Sequence, residues 1–145
     1  MNISNDRETR VKNLLDKQHL AVLATFSGSY PYTNLIAFSS CNEYKELVFA
    51  TLRATSKYKN VQQNKNVSVL FDNRDKKPLD FMKFITITAL GTVEEVEKND
   101  YKDILLRKHP YLSDFINNVD CALLKVNINQ YILVEQFEEI TIFSP

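Results

Sequence analysis

Apolar and polar positions divide the chain into short blocks. Leu20-Ala21-Val22-Leu23-Ala24-Thr25-Phe26 is an apolar, β-rich run, broken by Ser27-Gly28-Ser29, where Gly28 is free to take a positive φ. Tyr32 to Ser39 reads as a second strand, with Thr33, Leu35 and Ala37 alternating with Asn34, Ile36 and Phe38. A polar turn over Cys41 to Lys45 leads to a third strand, Glu46 to Leu52, and Val67 to Phe71 is a fourth. Lys83 to Glu97 reads as one long strand with Ile85, Ile87 and Ala89 on one side and Gly91 as a bulge or bend. Ala122 to Val126 and Tyr131 to Phe137 follow as separate strands, with a thinner one over Ile140 to Phe143.

Between these runs the period changes. Asn5 to Lys17 places Val11, Leu14 and Leu15 on one helical face, with Asn5 as a cap and Glu8 three residues on. Thr55 to Asn64 supports one or two helical turns, with Thr55 or Ala54 near the cap. Asp100 to Arg107 is helical and ends at His109-Pro110, because a residue before proline avoids the α region. Tyr111 to Asn117 reads as a further short helix, and Asp72 to Asp80 as a charged loop. The connections among the first strands are too short for a parallel crossover, so the pairing is antiparallel. About seven strands without repeat or linker predict a single domain over residues 1–145. A barrel is favoured over a sandwich, since a long bent strand can serve both halves of a sheet.

Composition then removes whole classes of function. The 18 basic residues balance 18 acidic ones, which argues against a general binder of nucleic acid or of anionic membrane surfaces. The chain has two glycines, Gly28 and Gly91, so neither a dinucleotide fingerprint nor a Walker loop can be present. Any phosphate is held without glycine. Cys41 and Cys121 match no metal spacing and read as reduced thiols. His19 and His109 stand at element boundaries rather than in a ligand cluster, so no metal site is expected. Met1 to Lys12 is polar, and the uncharged run from Gln18 to Asn42 is too interrupted to supply about 20 consecutive apolar residues. A cytoplasmic chain is the expectation.

One segment does concentrate chemistry. No carboxylate lies between Glu46 and Asp72, while Arg53, Lys57, Lys59 and Lys65 do. Inside the interval, Thr51-Leu52-Arg53-Ala54-Thr55-Ser56-Lys57 is a strand end running into a helix start. Helix N-termini present unpaired N–H groups and a partial positive charge, to which Thr51, Thr55, Ser56 and Lys57 add short donors and a cation. Capping alone also explains the hydroxyls, with the lysines in water, and on spacing alone that reading is favoured. The carboxylate gap weighs the other way.

Leu47 to Val61, followed by Asn64-Lys65-Asn66-Val67-Ser68-Val69, resembles the FMN-binding split-barrel family, of which pyridoxamine 5′-phosphate oxidase is the best-known member. Thr51, Thr55 and Lys57 match its phosphate motif, whereas Ser56 stands where many members have arginine, with Arg53 nearby to compensate. Pro31 to Phe38 resembles the strand that lines the flavin ring, and Asp72-Asn73-Arg74, Gly91 to Val96 and His109-Pro110-Tyr111-Leu112 resemble a subgroup with undefined substrates. The resemblance covers about Leu14 to Phe137. It implies a mainly β fold, a six- to seven-stranded antiparallel split barrel with peripheral helices, forming a homodimer with FMN at the subunit interface. It also implies Lys57, Thr55 and Ser56 on phosphate, Thr51, Leu52 and Arg53 beside it, and Thr33, Asn34 and Leu35 against the ring. The activity implied is flavin-dependent oxidoreduction between small-molecule donors and acceptors, with no side chain offered as a general acid or base. The C-terminal arginine and histidine of the pyridoxine phosphate oxidases have no counterpart before Pro145, and haem-degrading relatives are disfavoured for want of a terminal histidine. A flavin or deazaflavin carrier or sensor, and a cofactor-free interaction domain, are the alternatives.

Overall fold

The computed structural model describes residues 3–74 and 81–145. Seven strands form one antiparallel sheet: β1 (Leu20–Phe26), β2 (Pro31–Cys41), β3 (Glu46–Leu52), β4 (Asn66–Asp72), β5 (Ile85–Val96), β6 (Cys121–Glu135) and β7 (Glu139–Phe143). Their order is β3-β2-β1-β4-β5-β6-β7, and β3 also pairs with β6. That last pairing closes β1 to β6 into a six-stranded barrel and leaves β7 as an added strand, in agreement with the expected mainly β barrel. Four helices lie around it: α1 (Ile3–Lys17), α2 (Ser56–Gln63), α3 (Lys98–Lys108) and α4 (Ser113–Asn117).

The long β6 makes closure possible. Its first half, Cys121 to Asn127, pairs with β3, its second half, Tyr131 to Glu135, pairs with β7, and β5 runs along its other edge throughout. The sequence reading divided this strand at Asn127 to Gln130, because polar residues interrupt the apolar pattern there. The ladder explains the interruption: Leu90 pairs with Gln130 and Gly91 with Ile128, so Asn129 is the extra residue of a bulge in β6, and the pairing with β5 runs on across it. Gly91 is required, because a Cβ at this position would collide with the Asn127 carbonyl.

Two further expectations shift. Asn5 lies inside α1, where its carbonyl accepts from the Thr9 hydroxyl at 2.8 Å, so it does not cap the helix. Pro110 to Leu112 forms a 3-10 turn that precedes α4, where a single helix was expected. Most of the charged loop after Asp72 lies outside the described residues. Gly28 takes φ +95° in the β1–β2 turn, as anticipated, and Ser27 closes that turn by donating from its backbone N–H and its hydroxyl to the Tyr30 carbonyl, each at 3.0 Å.

The barrel interior is one apolar cluster that includes Leu15, Leu23, Phe38, Phe49, Phe71, Ile87, Leu124, Tyr131 and Leu133. A smaller cluster of Val48, Leu105, Ile116 and Leu123 lies under α3 and α4. Helix α1 is fixed by Val11, Leu14 and Leu15, and by Arg7 and Arg10, which pair with the buried Glu135 at the end of β6. Glu135 is a carboxylate in a buried position, and two guanidinium groups make that burial tolerable.

Candidate functional site

The junction between β3 and α2 brings Thr51, Leu52, Arg53, Thr55, Ser56 and Lys57 into one turn. Thr55 is the N-cap of α2, with extended backbone (φ −86°, ψ 156°), and its hydroxyl oxygen accepts from the Tyr58 N–H at 3.3 Å. The same hydroxyl donates to the Leu52 carbonyl at 2.8 Å and lies 3.0 Å from the hydroxyl of the buried Thr51. The two threonines therefore build the turn. Capping, which on spacing alone was the favoured account of the hydroxyls, describes Thr55 correctly.

What the turn leaves available is different. Ser56 and Lys57 occupy the first helical positions, where backbone N–H groups have no intrahelical acceptor. Ser56 is exposed and Lys57 half-buried, and neither side chain has a hydrogen bond or ion pair among the described residues. Two N–H groups, a free hydroxyl and a free ammonium at the positive end of a helix are a donor set suited to a phosphate ester.

Arg53 faces elsewhere. Its guanidinium donates to the Val119 carbonyl at 3.0 Å and to the Cys121 carbonyl at 3.5 Å, and it pairs with Glu95 on β5 at 3.3 Å. Glu95 also accepts from the Tyr58 hydroxyl at 2.8 Å, and this hydrogen bond raises the phenol above its ordinary pKa. Glu95 and Tyr58 were not singled out from the sequence. Glu95 lies 42 residues from Arg53, and only the sheet brings the two together.

Helix α2 is held at the barrel mouth by Asn60, whose buried amide donates to the Thr25 hydroxyl at 3.0 Å. Thr25 pairs with Tyr32, so α2 covers the barrel end at which β2 begins. Along that part of β2 the strand pairs with β1 from Pro31 to Ala37, but its ladder to β3 covers only Phe38 to Cys41. The edge from Pro31 to Ala37 thus has no strand on the β3 side. Asn34 points inward opposite Leu23, and its Oδ1 is buried without a donor among the described residues. Buried polar atoms are nearly always paired, so this amide marks a place where a donor is missing. Thr33 and Leu35, the other two predicted ring contacts, point to the outer face.

That outer face is unusually apolar. Sheet register lines up Leu35, Val22, Leu70, Thr88, Ile132 and Ile142 in one row across six strands, with no charged residue among them. Leu35 is 66% exposed and Ile142 57%, and Ile140 extends the patch at 64%. The exposed apolar side chains are thus contiguous rather than scattered.

The pyridoxamine 5′-phosphate oxidase family pattern matches residues 8–141. The chain belongs to this family. Among solved structures, a heme binding protein from Mycobacterium smegmatis superposes with TM-score 0.83 at 12% identity, over 99% of this chain and 59% of that one. Campylobacter jejuni ChuZ superposes with TM-score 0.82 at 13% identity, over 99% of this chain and 61% of that one. The General Stress Protein 26 from Bacillus anthracis superposes with TM-score 0.67 at 20% identity, over 96% and 98% of the two chains. At such identities these likenesses establish the fold. The chain spans about three-fifths of the first two and nearly all of the third. No curated protein matches it. Among the described residues of this family member, no helix is long and apolar enough to cross a membrane.

Proposed function

We propose that this member of the pyridoxamine 5′-phosphate oxidase family binds FMN as a homodimer and acts as a flavin-dependent oxidoreductase on a small molecule. The observation that carries the reading is the set of unengaged donors at the start of α2, where Ser56, Lys57 and the first helical N–H groups converge. In this reading Lys57 and Ser56 hold the phosphate, and the linked hydroxyls of Thr51 and Thr55 keep the turn, including Leu52, in shape. The free edge of β2 offers the backbone donors and acceptors of alternate residues along the stretch that holds Thr33, Asn34 and Leu35, and the Asn34 amide oxygen suits an N–H on the edge of a planar heterocycle. Bound flavin would supply the redox chemistry; the chain binds, orients and shields.

The apolar row on the outer face supports the homodimer. Thr33 and Leu35 lie on that face, so a second copy seated there would bury one side of β2 next to the cofactor strand. One neighbour in the fold, from Mycobacterium smegmatis, is a heme binding protein, but a heme reading finds little support in His109 here. His109 is buried: its Nε2–H donates to the Phe38 carbonyl at 2.8 Å, and its Nδ1 accepts from the Tyr111 hydroxyl at 3.1 Å.

Titration with FMN, followed by flavin fluorescence quenching, tests the reading. Saturable one-to-one binding is expected. Binding with no reduction by NAD(P)H in the presence of an acceptor would identify a carrier or sensor instead of an enzyme, and absence of binding would remove both.

A further inference from the structure

The β3–α2 turn holds two cations, Arg53 and Lys57, yet they are not equivalent. Arg53 sits two residues before the N-cap Thr55, and Lys57 two residues after it. Arg53 is paired with Glu95, and Lys57 has no anionic partner among the described residues. Glu95 is held in place from two sides, by Arg53 at 3.3 Å and by the Tyr58 hydroxyl at 2.8 Å, and Tyr58 itself belongs to the first turn of α2. The carboxylate is therefore anchored to the helix start that carries the phosphate donors. The neighbouring Glu94 pairs instead with Lys125 at 3.0 Å, so it does not share this role.

We propose that Glu95 sets how strongly this site favours FMN over riboflavin: by pairing with Arg53 it offsets one of the two cations of the β3–α2 turn, leaves Lys57 as the cation of that turn without an anionic partner among the described residues, and so lowers the phosphate's share of FMN affinity. This rests on the FMN reading above and deepens it. Unit charges within about a Debye length of a bound dianion act on it directly, and here a positive and a negative charge cancel. Glu95 is a positioning and electrostatic residue; it need not touch the ligand.

The test compares dissociation constants for FMN and for riboflavin, which lacks the phosphate, across the protein and its Glu95→Gln, Arg53→Ala, Arg53→Ala/Glu95→Gln and Glu95→Asp variants. Glu95→Gln should tighten FMN by about fivefold at low salt while moving riboflavin less than about twofold. The gain should shrink in high salt. Arg53→Ala should weaken FMN, the double variant should return to the wild-type value because the net charge is restored, and Glu95→Asp should match wild type. Unchanged or weaker FMN binding in Glu95→Gln, or equal tightening of riboflavin, would overturn the proposal. A second arm follows the Ser56 and Lys57 amide resonances during titration with inorganic phosphate. If flavin binds no variant but phosphate moves these resonances, and more tightly in Glu95→Gln, the FMN reading fails and the role of Glu95 stands. If phosphate moves neither resonance in any variant, the proposal falls.

Discussion

The start of α2 and the end of α3 are built from similar residues and reach opposite states. At the end of α3, Lys108 donates to the Leu15 carbonyl at 2.8 Å and lies 4.2 Å above the Phe38 ring, which ties α3 to α1 and β2. The next residue, His109, is fully buried and has both ring nitrogens engaged. Lys108 and His109 both already have partners inside the protein. At the start of α2 the threonine hydroxyls are likewise engaged, but Ser56, Lys57 and the first N–H groups are not. A lysine beside a helix end is therefore not itself a sign of function. The sign is a donor that the fold leaves unengaged.

Substitutions should separate the two junctions. The largest expected effect is at α3: His109→Leu leaves the Phe38 carbonyl unpaired in the interior and should cost about 3 kcal/mol of stability in urea denaturation, with flavin affinity retained. A loss under 1 kcal/mol would show that this junction is less tightly built than the geometry implies. Lys57→Ala should do the reverse. FMN affinity should drop by about 1.5–3 kcal/mol while the urea midpoint stays put, and an unchanged affinity would remove Lys57 from the phosphate site. Thr55→Ala removes the cap of α2 and should cost about 1 kcal/mol of stability, with a smaller change in affinity that comes only through the helix start.

The smallest effect is in pH dependence. Burial, then the Lys108 and His19 charges, lower the pKa of His109 below its ordinary 6.5, and its hydrogen bond to the Phe38 carbonyl only partly opposes this. Its neutral form therefore favours the fold above pH 6.5, and that contribution is lost as pH falls through the folded value. Lys108, lowered by burial to about 8, behaves alike at higher pH: stability falls as pH drops from 10.5 towards 8. His109→Gln, which keeps a donor for the Phe38 carbonyl, should flatten the acid limb of a stability–pH curve. An equally steep limb in the variant would assign it to other groups.

Much of the barrel was legible because its strands carry local patterns. β1 and β3 lie where the apolar runs begin and end, Gly28 sits where the chain turns, and Gly91 sits opposite the bulge of β6 rather than in a bulge of its own strand. The continuity of β6 through Asn127, Ile128, Asn129 and Gln130 was not legible, since it depends on a bulge at Asn129 that lets the strand keep its pairing with β5. The site divided in the same way. That Thr55, Ser56 and Lys57 share one strand-to-helix junction could be read from a strand end, a cap and a carboxylate gap. The Glu95 clamp on Arg53, the buried contact of Asn60 with Thr25 and the apolar row on the outer face depend on register between distant strands. The orphaned Asn34 amide is likewise a property of the missing β2–β3 ladder rather than of its neighbours in sequence.

The most direct measurement is size-exclusion chromatography of the protein after incubation with FMN, recorded between about 350 and 500 nm where bound flavin absorbs. Flavin absorbance co-eluting with protein at the mass of a dimer is the predicted result. A colourless protein peak, with all the flavin in the small-molecule fraction, would contradict the assignment of the β3–α2 junction as a flavin phosphate site.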